Sequence, residues 1–223
     1  MDLLDTFCNW PVLRDALPAL LRGLGVTVLL GAASIALGFI AGLAVALLRL
    51  YGPRPVTYLA RVYVDLFRSI PLLVLLVLVY YALPFLGIRL SSFAAATTAL
   101  SLVACAYTAE IIRAGIEAVP KGQSEAAAAL GLGFVASLRF VMLPQALRVV
   151  TPPLTSNCIS VFKDTALASV VAMPELLKEA TQAQATAANP TPLIGAAVLY
   201  LALLLPLVRL VGSLEGRHRA ATR

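Results

Sequence analysis

Apolar and polar residues fall in long blocks along this chain, without the short alternation of strands or surface helices. Five apolar blocks reach or approach the roughly 20 residues that a membrane-spanning helix needs: residues 23–48, 70–86, 93–112, 141–162 and 192–211. One all-α transmembrane domain with five spanning helices is expected, with an external segment 1–22, a loop 113–140 and a basic tail 212–223. The fourth block is the most polar, since Pro144, Pro152 and Pro153 interrupt it and Thr151, Thr155, Ser156, Asn157 and Ser160 lie within it. Carbonyls freed by proline are tolerated in a bilayer only where protein or water satisfies them, so this helix is expected to face protein or a cavity.

Composition turns the pattern into a class. The 223 residues are 61% hydrophobic and 13% charged, with mean hydropathy +0.93, against about 25% charged in soluble domains. This is an integral membrane protein. Asp2 and Asp5 stand where a cleavable signal peptide would be basic, so residues 1–22, with Trp10 and Pro11, are expected at the outer interface. Basic loops favour the cytoplasm. With the N-terminus outside, 12 cations fall inside (Arg49, Arg54, Arg61, Arg68, Arg113, Lys121, Arg139, Arg148, Arg209, Arg217, Arg219, Arg223) and 5 outside (Arg14, Arg22, Arg89, Lys163, Lys178). The expected topology is N-terminus out and C-terminus in. The net charge of +6 then reads as an orientation signal and not as nucleic-acid binding.

Between the third and fourth blocks stands Glu125-Ala126-Ala127-Ala128-Ala129-Leu130-Gly131, and then Val141-Met142-Leu143-Pro144. The first run predicts a helix only about 9 Å long, far too short to span. Glu125 is expected in its first turn, where a negative charge suits the helix dipole, and Gly131 and Gly133 in left-handed conformations that end it. Four alanines would let a partner approach the backbone closely.

This spacing resembles the EAA loop of permease subunits in binding-protein-dependent ABC importers of type I, MetI-like architecture. The runs Ala106-Tyr107-Thr108-Ala109-Glu110, Val119-Pro120-Lys121-Gly122-Gln123, Leu143-Pro144-Gln145-Ala146-Leu147-Arg148 and Lys163-Asp164-Thr165-Ala166-Leu167 narrow the resemblance to the polar-amino-acid subfamily, which includes histidine, glutamine, arginine and opine permeases. Ser124 stands where that pattern often has an aromatic residue, Ala128 where a basic one is frequent, and Ala166 where serine is usual.

The resemblance implies alternating access in a bacterial plasma (inner) membrane. It also implies two cytosolic ABC ATPase subunits that bind ATP, a second permease subunit (identical or paralogous), an external solute-binding protein and a polar amino acid substrate. Glu125, Ala126, Ala127, Gly131, Leu143 and Pro144 are the ATPase-coupling candidates it implies.

The residues themselves offer no engine. Lys121, Lys163 and Lys178 lie outside any Gly-Lys-Ser/Thr context, so no phosphate loop is present. No cofactor or metal is expected on this chain, and no catalysis. His218 sits in the basic tail, and Cys8, Cys105 and Cys158 lack ligand spacing.

For the pathway, Ser156, Asn157 and Ser160 share an arc of about 100°, either as a pore face or as interhelical hydrogen-bonding groups. Glu110 with Arg113 is a helix-end ion pair, or else it lines the inner vestibule or braces the coupling loop. Lys163 and Asp164 form a solvated pair or meet the charged ends of an amino acid. Gly38 and Gly42 predict close helix packing. A secondary transporter or channel is the alternative class. Its marks would be mid-span charges or inverted repeats.

Overall fold

A computed structural model describes residues 6–221, and those residues are helical throughout, joined by short turns. Four helices among them are long and apolar enough to cross a membrane, and the number is five if a pair bent by 102° counts as one span.

The first helix, α1 (Trp10–Tyr51), has 42 residues, or about 63 Å, twice the hydrocarbon thickness. It begins well before residue 23 because Asn9 accepts the Val12 N–H at 3.2 Å and Pro11 occupies the first turn, where its missing N–H costs nothing. Arg14, Asp15 and Arg22 mark the early turns as polar, which is why hydropathy alone placed only residues 23–48 in a helix. Of the expected external segment 1–22, residues from Trp10 onward are therefore helical and continuous with the helix of the first span, and residues 1–5 lie outside the described residues.

The second apolar block is preceded by a helix set at a sharp angle to it. Helix α2 (Arg54–Ser69) meets the following segment at 102°. That segment comprises α3 (Leu72–Val77), a π turn (Leu78–Ala82) and a 3-10 turn (Leu83–Leu86), ended by Gly87 at φ +82. Pro71 caps α3, while Arg68 and Ser69 belong to the helix before it.

Helix α4 (Ser92–Glu117) starts at Ser91, whose hydroxyl accepts the Ala94 N–H, and runs through the centre of the protein. It packs parallel to α1 through small residues. A Cβ on Gly38 would come within 2.6 Å of Ala104, and one on Gly42 within 2.7 Å of Thr108. The expected close packing of Gly38 and Gly42 is therefore directed at α4 of the same chain.

After α4 come α5 (Lys121–Ala129), the single turn α6 (Phe134–Ser137), a π turn (Leu138–Met142), α7 (Leu143–Asp164) and a 3-10 turn (Thr165–Val171). The π turn has a local cause. Pro144 cannot donate, and the preceding Leu143 N–H reaches five residues back to the Leu138 carbonyl. Pro152 and Pro153 are carried inside α7.

Helix α8 (Leu176–Ala187) was absent from the hydropathy pattern, since its Lys, Glu, Thr and Gln break any apolar run. Glu175 caps it. Helix α9 (Thr191–Ala221) extends the fifth block by ten residues at the backbone level. The buried core lies between α1, α3, α4 and the 165–173 segment, around Leu30, Leu76, Ala96, Leu100 and Val171.

Candidate coupling helix and transport cavity

Helix α5 begins at Lys121, four residues before Glu125, so Glu125 sits in the second turn and not the first. The earlier start comes from Pro120, which occupies the N-cap position. Its end follows the reading at Gly131 only. Gly131 has φ +79, its N–H reaches the Ala128 carbonyl at 2.9 Å, and the Leu132 N–H reaches Ala127 at 3.0 Å. Those two bonds form a Schellman motif with glycine in the left-handed position. Gly133 is extended at φ −66 and caps α6 instead.

Ala127 is buried against the protein, while Glu125, Ala126, Ala128, Ala129 and Gly131 are exposed, as is Leu130 at 82%. Helix α5 thus presents small side chains outward and is fixed mostly by backbone. Gln145 Nε2 donates to Gln123 Oε1 at 3.3 Å and to the Val141 carbonyl at 2.9 Å, tying α5 to the base of α7. Leu143 and Pro144 start α7 at that base, Leu143 being 41% exposed. The Phe134 ring meets Tyr51 of α1 edge-on at 5.8 Å.

A cavity of about 440 Å³ opens between α4 and α7, within the range of small-ligand sites. Its polar lining is Tyr107 from α4 and Ser156, Asn157, Ser160 and Asp164 from α7. Leu72, Val103 and Ile111 supply part of the apolar wall. Asn157 Nδ2 donates to Thr108 Oγ1 at 3.3 Å, so this residue holds α7 to α4 and faces the cavity at once. The Ser160 hydroxyl donates to the Ser156 carbonyl. Lys163 is exposed and lies outside the cavity lining, whereas the adjacent Asp164 belongs to it.

Glu110 is more than a helix-end partner. Its Oε2 accepts from Arg49 Nη1 of α1 at 2.5 Å and from Arg113 Nε at 3.2 Å, and its Oε1 accepts from Arg113 Nη2 at 2.6 Å. Arg68 Nη1 of α2 lies 3.9 Å from the same Oε1, and Arg113 continues to Glu117. The Arg68 guanidinium stands 5.4 Å above the Tyr107 ring, which lines the cavity. One carboxylate therefore joins three helices beside the cavity and two turns ahead of the α4–α5 turn. Sequence reading had used Arg49 and Arg68 only as orientation charges. Finding their shared partner needed the α1–α4 register, which Gly38 and Gly42 set in three dimensions.

The chain resembles known transport proteins over almost its entire length. Residues 34–220 match the family model described as binding-protein-dependent transport system inner membrane component. The arginine transport system permease protein ArtQ of Bacillus subtilis (strain 168) is 37% identical over 206 residues, covering 92% of this chain and 94% of that protein. The probable glutamine ABC transporter permease protein GlnP of the same organism is 43% identical over 168 residues, covering 75% and 77%. A crystal structure of an amino acid ABC transporter with histidines superposes with TM-score 0.87 at 32% identity, covering 97% of this chain and 99% of that one. An inward-facing MetNI methionine ABC transporter gives TM-score 0.72 at 26% identity, covering 92% and 97%. This chain belongs to the family of binding-protein-dependent transport system inner membrane components, as a multi-pass permease subunit of an ABC importer.

Proposed function

We propose that this chain moves a polar amino acid inward, with its N-terminus outside, its C-terminus in the cytosol and α5 docked on a cytosolic ATPase. The observation that carries the reading is the place of α5 in the chain. It is the exposed connection between α4 and the α6–α7 segment, the two elements that supply the polar cavity wall. A push on α5 therefore acts on both walls together. In this mechanism two permease subunits, identical or paralogous, enclose the path, and two ATPase subunits close on ATP against the two α5 helices. An external binding protein delivers the solute.

Tyr107, Ser156, Asn157, Ser160 and Asp164 offer the donors and acceptors that a polar amino acid requires, and the carboxylate of Asp164 suits an ammonium group. The names of the relatives, which include arginine, glutamine, L-cystine and glutamate/aspartate systems, support this substrate class. The basic asymmetry of 12 against 5 supports the orientation.

Uptake into vesicles holding the permease, ATPase and binding protein tests the coupling role. In Gly131→Val and Glu125→Lys the permease should insert normally but lose co-purification with the ATPase, or lose solute-stimulated ATP hydrolysis. A Cβ at 131 would meet open space, so the valine variant acts through its disfavoured backbone conformation and not through a clash. Full uptake by both variants would contradict α5 as the coupling element.

A further inference from the structure

Helix α2 has three faces where a surface helix of a soluble protein has two. At about 100° per residue, Ala60 and Val64, 8% and 0% exposed, fall on the side packed against α1 and α4. Leu59, Val62 and Leu66 fall together on a second face and are 66%, 45% and 56% exposed. Arg54, Arg61 and Asp65 fall on a third face, all exposed, with Asp65 one turn beyond Arg61, and no ion pair among the described residues engages either arginine. Tyr58, 64% exposed, sits at the edge between the apolar and basic faces.

The setting of α2 in the chain fixes its attitude. It leaves the end of α1 after two residues, held there by the Thr57 hydroxyl on the Leu48 and Gly52 carbonyls, and enters the next crossing at 102°. A helix nearly perpendicular to a crossing segment lies along the membrane plane. Its depth is marked by Val64, which packs with Ala46, Ala109 and Ile112 toward the α5 end of α4, and by Arg68 on Glu110, while the Tyr63 hydroxyl reaches further along α4 to the Leu102 carbonyl at 2.9 Å. The exposed apolar face is thus held at the level of lipid, on the α5 side of the molecule.

We propose that α2 is an interfacial helix that rests on the leaflet on the α5 side, with Leu59, Val62 and Leu66 among acyl chains and Arg54 and Arg61 on acidic phospholipid headgroups. Apolar and basic faces side by side, with a tyrosine at their boundary, are the profile of a helix lying in the headgroup region. A soluble partner would not require the apolar face, and a spanning partner would not require the two free cations beside it. The occupant that satisfies both is anionic lipid.

The test uses the permease–ATPase complex, lacking native cysteines, in vesicles of phosphatidylcholine mixed with phosphatidylglycerol. Single spin labels replace Leu59, Val62 and Leu66, or Arg54 and Arg61, and collisions with oxygen and with a water-soluble nickel chelate are measured. Oxygen should dominate at the three apolar positions and nickel at the two arginines. Low access to both reagents at 59, 62 and 66 would mean that a protein, such as a second permease copy, covers the face, and would overturn the proposal. Nickel access at all five positions would do the same.

In the second arm, phosphatidylglycerol retained by the purified complex is compared between the unmodified protein and Arg54→Gln/Arg61→Gln. Retention should fall about fivefold per arginine, from about 1 kcal/mol for each basic residue near an acidic surface. Unchanged retention would overturn the headgroup contact. Both arms read lipid contact and not transport, so they stand whichever solute the protein carries.

Discussion

Two glutamates are held at opposite ends of α1 by unlike means. Glu110, near the end that leads to α5, is gripped by guanidinium groups from three helices: Arg49, Arg68 and Arg113. Glu175, beside Gly23 toward the other end, is fully buried and forms no ion pair among the described residues. Its Oε1 accepts the Lys178 N–H at 2.6 Å, and its Oε2 accepts the Leu177 N–H at 2.8 Å and the Tyr200 hydroxyl at 2.9 Å. The next residue, Leu176, donates its N–H to Thr27 Oγ1, and a Cβ on Gly23 would come within 2.9 Å of its Cα. The Glu175 corner is a closed set of short, directional bonds with no room to slide. The Glu110 hub is built from long, partly exposed side chains, with Arg68 3.9 Å from Glu110. The Glu175 end is thus closed and tightly packed, while the Glu110 end is partly open and stands beside the cavity and α5.

The sharpest way to break the comparison is Glu110→Gln. Removing one member of a largely buried ion cluster leaves the other charges uncompensated, at a cost of about 3 kcal/mol. Uptake should fall steeply because α1, α2 and α4 lose their common tie. Thermal unfolding of the purified protein and uptake in vesicles measure the two effects. If Glu110→Gln transports normally, the hub is only a surface feature.

Glu175→Ala should cost roughly 2 to 3 kcal/mol, from a lost helix cap and a Tyr200 hydroxyl left without its acceptor. Burial pushes the Glu175 carboxyl above the ordinary glutamate range despite its three donors. A raised native pKa means that the folded state holds the proton more tightly than the unfolded state. This group's contribution to stability is therefore full at low pH and declines as pH rises from the ordinary glutamate range to the raised native value. Unfolding curves across that window should lose this slope in Glu175→Gln. An unchanged slope would show that other groups set it.

Ala172 is the smallest lever. It holds φ +56 at the turn before Glu175, with its N–H on the Ser169 carbonyl and the Met173 N–H on Ala168, a Schellman turn with alanine where glycine is usual. Ala172→Gly should stabilise by up to about 1 kcal/mol through relief of the left-handed strain. A loss of stability would mean that added freedom in the unfolded chain outweighs that relief.

Much of this was legible in the sequence because membrane constraints are coarse and strong. Long apolar blocks had to be helices, and Gly131 announced the end of α5. The polar face of Ser156, Asn157 and Ser160 did mark the helix that lines the cavity. What stayed hidden depended on polar helix and on register. Trp10–Gly23 and α8 are helical through their caps and packing while hydropathy passes over them. Helix α2 carries too many arginines to read as a span and is too apolar to read as a loop. Arg49, Arg68 and Glu110 are far apart in sequence, so only the α1–α4 packing joins them. Tyr107 lies within a sequence motif, and its place between Arg68 and the cavity comes from the fold.

In the proposed mechanism α5 moves the walls of the cavity between α4 and α7. Ser156→Cys and Ser160→Cys, each in a cysteine-free background, place a thiol on that wall, and a small polar thiol reagent reads its exposure. In the assembled complex both thiols should react, and their rates should change when ATP is trapped on the ATPase. The change should vanish when Gly131→Val uncouples α5. Asn157→Leu, which removes the tie to Thr108 at about 0.6 kcal/mol, should alter the rates without dissolving the complex. Uniform protection of both thiols in every nucleotide state, with normal uptake by Asn157→Leu, would contradict the account and remove this cavity from the transport path.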